Sequence, residues 1–477
     1  MTRQTALDHA ATRFDDGSFF ATLARRIALR SVSPGGDETT LAPYLRDELA
    51  PSLQSLGFVV RLAPNPVAGQ PPFLLASRIE SLDAPTVLMY GHGDVVAGYD
   101  ELWRAGLSPW KLSADGERWY GRGSADNKGQ HSINLAALAS VLEVRGGRLG
   151  FNIKVLIEMG EEVGSPGLNQ ICEALKDELA ADLLLASDGP RLEAKRPTIF
   201  LGSRGVVNFE LRFKAREGGH HSGNWGGALR NPATTLAAAL ASLIDGQGVI
   251  RIAALRPLAL PDSVRNALAG LSLGGAPGDP EIDRAWGEPG LSPEERVFGW
   301  NTLEVLAMKA GNPEHPVNAI PPSATAWCQL RCVVGTDWQN LAQHVREHLA
   351  VHGFGMIDVS VSAASAPTRL DPDSPWVRWA VDSIARSTDK RVAVLPNLGG
   401  TLPNDALAHT LGLPTVWVPH SYPACSQHAP NEHLLGAVVR EALQIMAGLY
   451  WDLGEGYPPQ THRSTGSAGR FTNALMS

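Results

Sequence analysis

Three short apolar runs, 85–90 (PTVLMY), 151–157 (FNIKVLI) and 182–186 (DLLLA), each end in a loop crowded with glycine and acidic residues. Each run is too short for a helix, and the bounding turn residues mark it as a buried strand. Between the first two, residues 130–144 (QHSINLAALASVLEV) repeat apolar side chains at intervals of three and four, which predicts a helix. Strand, crossover helix and strand specify an α/β sheet. The polar residues collect where the strands end, and in an open α/β sheet that edge is where ligands bind.

The texture changes near Gly202. An alternating strand over 206–213 is followed by a glycine-rich loop, a helix over 232–244 and a proline- and glycine-rich run from 257 to 293. A second alternating strand (324–333), a helix (337–351) and a strand (356–362) complete a separate α+β unit. The αβ pattern returns after 364, with a helix from Pro375 and strands at 392–395 and 415–418. The expected fold is therefore an α/β domain in two parts, 1–203 and 365–477, interrupted by an α+β domain over 204–364. The tail from Gly456 is expected to be mobile.

With 477 residues, 44% of them hydrophobic, the chain can bury a core large enough for such a fold. A net charge of −8 offers no general attraction to nucleic acid or anionic membranes. No stretch reaches the ~18 apolar residues of a membrane span, and the acidic first residues lack a signal-peptide apolar core. Four irregularly spaced cysteines suit a reducing compartment, so a cytoplasmic protein is expected.

The strand-end loops carry His92 and Asp94 (GHGD), Asp126 (GRGSADNKGQ), Glu161 and Glu162 (EMGEEVGSPG), Asp188 (SDG) and His428 (QHAPNE). Each alone is an ordinary turn or cap residue. Together, five loops of one sheet each delivering a carboxylate or imidazole make a ligand set suited to Zn²⁺, or to Co²⁺ or Mn²⁺. Five ligands exceed what one catalytic zinc uses, whereas two metals sharing a carboxylate would employ them all. His420 is the rival ligand, while His131 and His433 read as helical or surface residues.

In this order the motifs resemble the M20 family of metallopeptidases, over about residues 31–435. The resemblance implies a catalytic α/β domain of central mixed sheet flanked by helices, with the insertion as a lid and dimerisation domain. It further implies two Zn²⁺ per subunit: His92, Asp126 and Asp188 would hold one, and Asp126, Glu162 and His428 the other. Asp94 would orient His92, and Glu161 would be the general base. The Asp126–Asn127 peptide would be cis. His221 in the loop GGHHSG would reach the opposite subunit's site, although Gly219 and His220 stand where the dipeptidase branch has other residues. Asn318, Arg331, Gly400 and Thr401 match substrate-binding positions, with Arg331 clamping a carboxylate.

The activity so implied is cleavage of small peptides with a free carboxylate, as in dipeptidases and carboxypeptidases. An N-acyl amino acid deacylase is the alternative, and a silent metal-binding scaffold the third reading. Asp94 and Glu161 speak against the last, since neither binds metal in this scheme.

Overall fold

The computed structural model describes residues 1–275 and 279–456, so the tail past 456 lies outside the described residues. Eight strands form the main sheet, in the order 59–63, 73–78, 152–158, 86–92, 183–186, 415–417, 198–200 and 393–395. Its middle four run parallel to one another, and their carboxyl ends lie along one edge. The register pairs His92 with Glu158, so the Glu161–Glu162 pair lies just beyond the strand end that carries His92.

Helices cover the sheet. The helix Lys128–Val144 is buried on nearly every face, which explains its lack of a strongly one-sided pattern. Two elements beyond the pattern read above join it: the helix Arg3–Asp15 and the 19-residue helix Gly436–Gly454. The latter buries Leu443, Met446 and Tyr450 against Ile133, Leu138 and Phe151 in a single apolar cluster. Among the described residues no helix is long and apolar enough to cross a membrane.

The insertion builds its own antiparallel sheet, in the order 302–310, 323–332, 205–214 and 358–365. The strand Thr302–Ala310 is additional to the sequence pattern, because as an edge strand most of its residues face solvent and no burial alternation marks it. Val207, Phe209 and Leu211 pack under the helices Pro232–Leu243 and Leu341–Val351, giving this unit a core of its own. The proline- and glycine-rich stretch behaves differently. Leu260, Val264 and Leu268, with Phe298 of the helix Pro293–Gly299 that closes it, join Tyr90, Leu395 and Trp417 in a cluster against the main sheet.

Candidate metal centre

His92 is the last residue of a central strand, Glu162 and Asp188 follow neighbouring strands, and His428 lies in the loop beyond Thr415–Trp417. Asp126 comes from elsewhere. It precedes the helix Lys128–Val144 and follows Arg118–Tyr120, a strand of a small three-stranded sheet. Four of the five loops therefore belong to the main sheet, not all five. A sequence shows only that a short strand precedes Asp126, and which sheet it joins depends on its pairing with His433–Leu435, more than 300 residues away.

Asp126 is the centre of the cluster. Its Oδ1 lies 2.9 Å from His92 Nε2 and its Oδ2 lies 2.9 Å from His428 Nε2. Asp188 Oδ2 lies 3.5 Å from His92 Nε2, and Glu162 Oε2 lies 3.0 Å from His428 Nε2. Two triads result, His92–Asp126–Asp188 and Asp126–Glu162–His428, each with ligand atoms within 4.8 Å of one another. The shared carboxylate turns one oxygen to each histidine. The Asp126–Asn127 peptide is cis, as the resemblance implies.

His92 Nδ1 faces Asp94 through both its carboxylate, 3.2 Å away, and its backbone carbonyl. That contact leaves Nε2 to look into the cluster. Asp94 does a second job, since its two carboxylate oxygens accept the backbone N–H groups of Glu161 and Glu162. One buried aspartate thus fixes a ligand ring and the loop bearing the next two carboxylates. Glycine at 93 is required by this crowding, because a Cβ there would sit 2.4 Å from the Tyr44 ring.

Electrostatics point to a cation. Burial raises the Glu161 carboxyl well above the usual range, opposed by His92 and reinforced by Asp188, Asp126 and Glu162. Glu162 and Asp188 are raised too, first by burial. Hydrogen bonds to Asp126 and Glu162 push His428 up to about 10. Burial opposes His92, yet contacts with Asp126, Asp188 and Asp94 raise it well above its ordinary value. So many carboxylates withdrawn from water require positive charge nearby. Asp188 Oδ2 is buried without a hydrogen-bond partner, the state of a ligand atom whose partner is a metal ion. The donor set fits divalent zinc, cobalt or manganese.

Several supports escaped the sequence reading. Glu432, buried, accepts the N–H groups of Gly123, Ala125 and Asp126 and pairs with Arg122 at 2.7 Å, so it moulds the Asp126 loop. Gln427 donates to Asp126 Oδ2 at 2.5 Å. Both lie within the His428 motif, and that proximity was the available signal. Ser426, His428 and Asn431 all have positive φ, a conformation uncommon outside glycine, and they lie together in this one loop. Asn127 holds Ser187 O and faces His131, whose other ring nitrogen meets Tyr44.

The histidines set aside by sequence are all inside. His131 is a buried helical residue, and His433 is a buried strand residue rather than a surface one, held by Tyr422. His420 is no ligand: its Nε2 meets Ser187 Oγ and Asn134 Oδ1, and burial keeps the ring neutral.

The substrate-binding candidates divide. Arg331 Nη1 donates to Thr401 Oγ1 at 2.6 Å, joining the insertion's sheet to the 399–403 loop. Gly400 and Thr401 line the same 480 Å³ cavity as Asp126, Glu161, Asp188 and His428. His221 and Asn318 are exposed, His221 in the short strand 220–221 and Asn318 just before its paired strand 319–320. His221 Nδ1 accepts from Gly223 N, and Asn318 O from Ser222 N. Among the described residues neither forms a hydrogen bond or ion pair with the cluster.

A family model described as "Peptidase family M20/M25/M40" matches residues 88–452. Over 335 residues, 67% of this chain and 70% of the relative, the chain is 29% identical to a cysteinylglycine-S-conjugate dipeptidase of Corynebacterium striatum. It is 36% identical to the Beta-Ala-His dipeptidase of Mus musculus over 185 residues, 38% of this chain and 37% of that one. A metallo-carboxypeptidase of the M20 family from Sulfolobus solfataricus superposes with a TM-score of 0.76 at 24% identity, covering 92% of this chain and 99% of that one.

Proposed function

The chain belongs to peptidase family M20/M25/M40, and from that premise we propose that it is a two-metal hydrolase cleaving the amide bond of dipeptides with a free carboxylate. The carrying observation is Asp126 turning one oxygen to each of two ligand triads while Glu161 stays outside both. His92, Asp126 and Asp188 would hold one Zn²⁺, and Asp126, Glu162 and His428 the other, with Co²⁺ or Mn²⁺ as substitutes. Bound there, the metals supply Lewis acidity that polarises the scissile carbonyl and acidifies water.

The chain's own groups do the rest. Glu161 Oε2 lies 3.9 Å from His92 Nε2, close enough to the reacting centre to take a proton from the attacking water. From there it can hold that proton and pass it to the leaving amine. Asp94 keeps His92 and the Glu161 loop aligned. Arg331 and Thr401, with the Gly400 backbone, receive the substrate carboxylate, for which a guanidinium offers a two-pronged match.

In the same reading, 1–203 and 365–477 form the catalytic domain and 204–364 the lid through which two subunits pair. His221 would then donate to the developing oxyanion of the partner's site. Four buried, unpaired cysteines support a cytoplasmic setting. The relatives' names favour dipeptides over N-acyl amino acids.

The test is turnover of a dipeptide panel and of N-acetyl amino acids by protein stripped with chelator and then reloaded with Zn²⁺, Mn²⁺ or Co²⁺. Metal-dependent dipeptide cleavage with two metals per chain is expected. Metal binding without turnover would return the silent scaffold, and cleavage confined to N-acetyl substrates the deacylase.

A further inference from the structure

The cavity that reaches the cluster has two unlike kinds of wall. Asp126, Glu161, Asp188 and His428 supply one, and Leu273, Val297, Phe298, Leu395, Leu398 and Leu402 the other. Phe298, Leu395 and Leu402 are buried in the cluster beneath the main sheet, so this wall is the face of a packed core and is held in place. Leu273, Val297 and Leu398 are half-buried, with apolar surface still open to the cavity. Val297 belongs to the helix Pro293–Gly299 at the end of the proline- and glycine-rich run, a stretch the sequence reading left without a purpose. That helix packs directly on the substrate loop: a Cβ on Gly399 would lie 3.2 Å from Val297 Cγ1.

We propose that this chain selects dipeptides whose C-terminal residue carries a large apolar side chain, seated against Leu273, Val297 and Leu398. The inference rests on reading Arg331 and Thr401 as the carboxylate anchor. A residue with its carboxylate at Thr401 and its amide nitrogen at the cluster has its side chain left to fill the remaining space, and that space is apolar. Water leaves such a wall at a gain for leucine or phenylalanine. A charged side chain laid against Leu273, Val297 and Leu398 would lose its hydration to a wall that offers it no partner. Arg191, the arginine in the lining, pairs through Nη1 with Glu441 at 2.6 Å, while its Nη2 is buried without a hydrogen-bond partner.

The experiment is kcat/KM of the metal-loaded full chain on Gly-Leu, Gly-Phe, Gly-Gly, Gly-Asp and Leu-Gly. Gly-Leu and Gly-Phe should exceed Gly-Gly and Gly-Asp by about tenfold or more, as apolar pockets discriminate on this scale. Leu273→Ala and Val297→Thr should each reduce the Gly-Leu to Gly-Gly ratio, and Val297→Asp should turn preference toward Gly-Lys. Should Val297→Asp fail to fold, the near-isosteric Val297→Thr carries the test. Equal rates across the Gly-Xaa series, a preference for Leu-Gly over Gly-Leu, or a ratio unmoved by both milder variants would overturn the pocket while leaving the hydrolase reading intact. No metal-dependent cleavage of any dipeptide would sink both.

Discussion

The two halves of the proposed active site are built to opposite standards. In the candidate metal cluster, the side chains of His92, Asp94, Asp126, Glu162 and Asp188 are at most 4% exposed, with His428 the exception at 53%, and buried partners hold several of them from behind. The His221 loop is exposed, flanked by glycines and pinned through two paired residues on each side. A metal site demands ligands fixed to fractions of an ångström, which a parallel sheet edge and buried hydrogen bonds supply. A group that must admit substrate and then close on it is better placed on a lid.

Glu161→Gln tests the rigid half most severely. It should lower kcat by about 10²–10⁴-fold with metal content near wild type, because the lost group handles protons. Elemental analysis beside kinetics checks this, and a parallel loss of metal would merge Glu161 into the ligand set. His221→Ala should cost about 10²–10³-fold, the scale of one oxyanion donor, without touching metal content. Mixing His221→Ala with Glu161→Gln subunits should restore activity in heterodimers. Absent recovery after verified subunit exchange, His221 would have no role across subunits.

Glu158 sharpens the comparison from beneath the cluster. It accepts from Tyr90 Oη at 2.6 Å and from Ser165 Oγ, and burial raises it to about 7. A carboxyl raised on folding adds stability that is complete below its unfolded value near 4.5 and gone once pH passes about 7. Glu158→Gln mimics the protonated form, so denaturant unfolding should lose that slope. The variant should exceed wild type above pH 7 by up to about 3 kcal/mol, the scale of such a shift. A wild-type slope retained in the variant would assign the pH dependence elsewhere. Asp94→Asn should produce the mildest effect, a 10–100-fold loss of metal affinity by titration. Unchanged affinity would reduce Asp94 to a structural residue of the 161–162 loop.

Much of the cluster was legible because its parts are local. A glycine-flanked histidine or acid after a buried strand is visible in a dozen residues, as at His92, Glu162 and Asp188. The helix that follows Asp126 was equally plain from its apolar spacing. Glu432 was not, since its role lies in three backbone N–H groups some 300 residues distant. The edge strand Thr302–Ala310 stayed hidden because exposure erased the alternation that marks strands. His433 was misplaced because an imidazole in a polar motif looks exposed until Tyr422 and the strand Arg118–Tyr120 close over it.

By itself the sequence determined which residues are candidate metal ligands, that most follow strands, and that an α+β unit interrupts an α/β one. Those properties follow from residue chemistry and short-range periodicity. Tertiary structure alone decided that Asp126 splits its oxygens between His92 and His428, that Asp94 braces two loops, and that a proline- and glycine-rich run and the helix closing it wall the cavity with Leu273 and Val297. The physical reason is that each of these depends on strand order and register, and pairings between distant strands arise from packing of the whole chain.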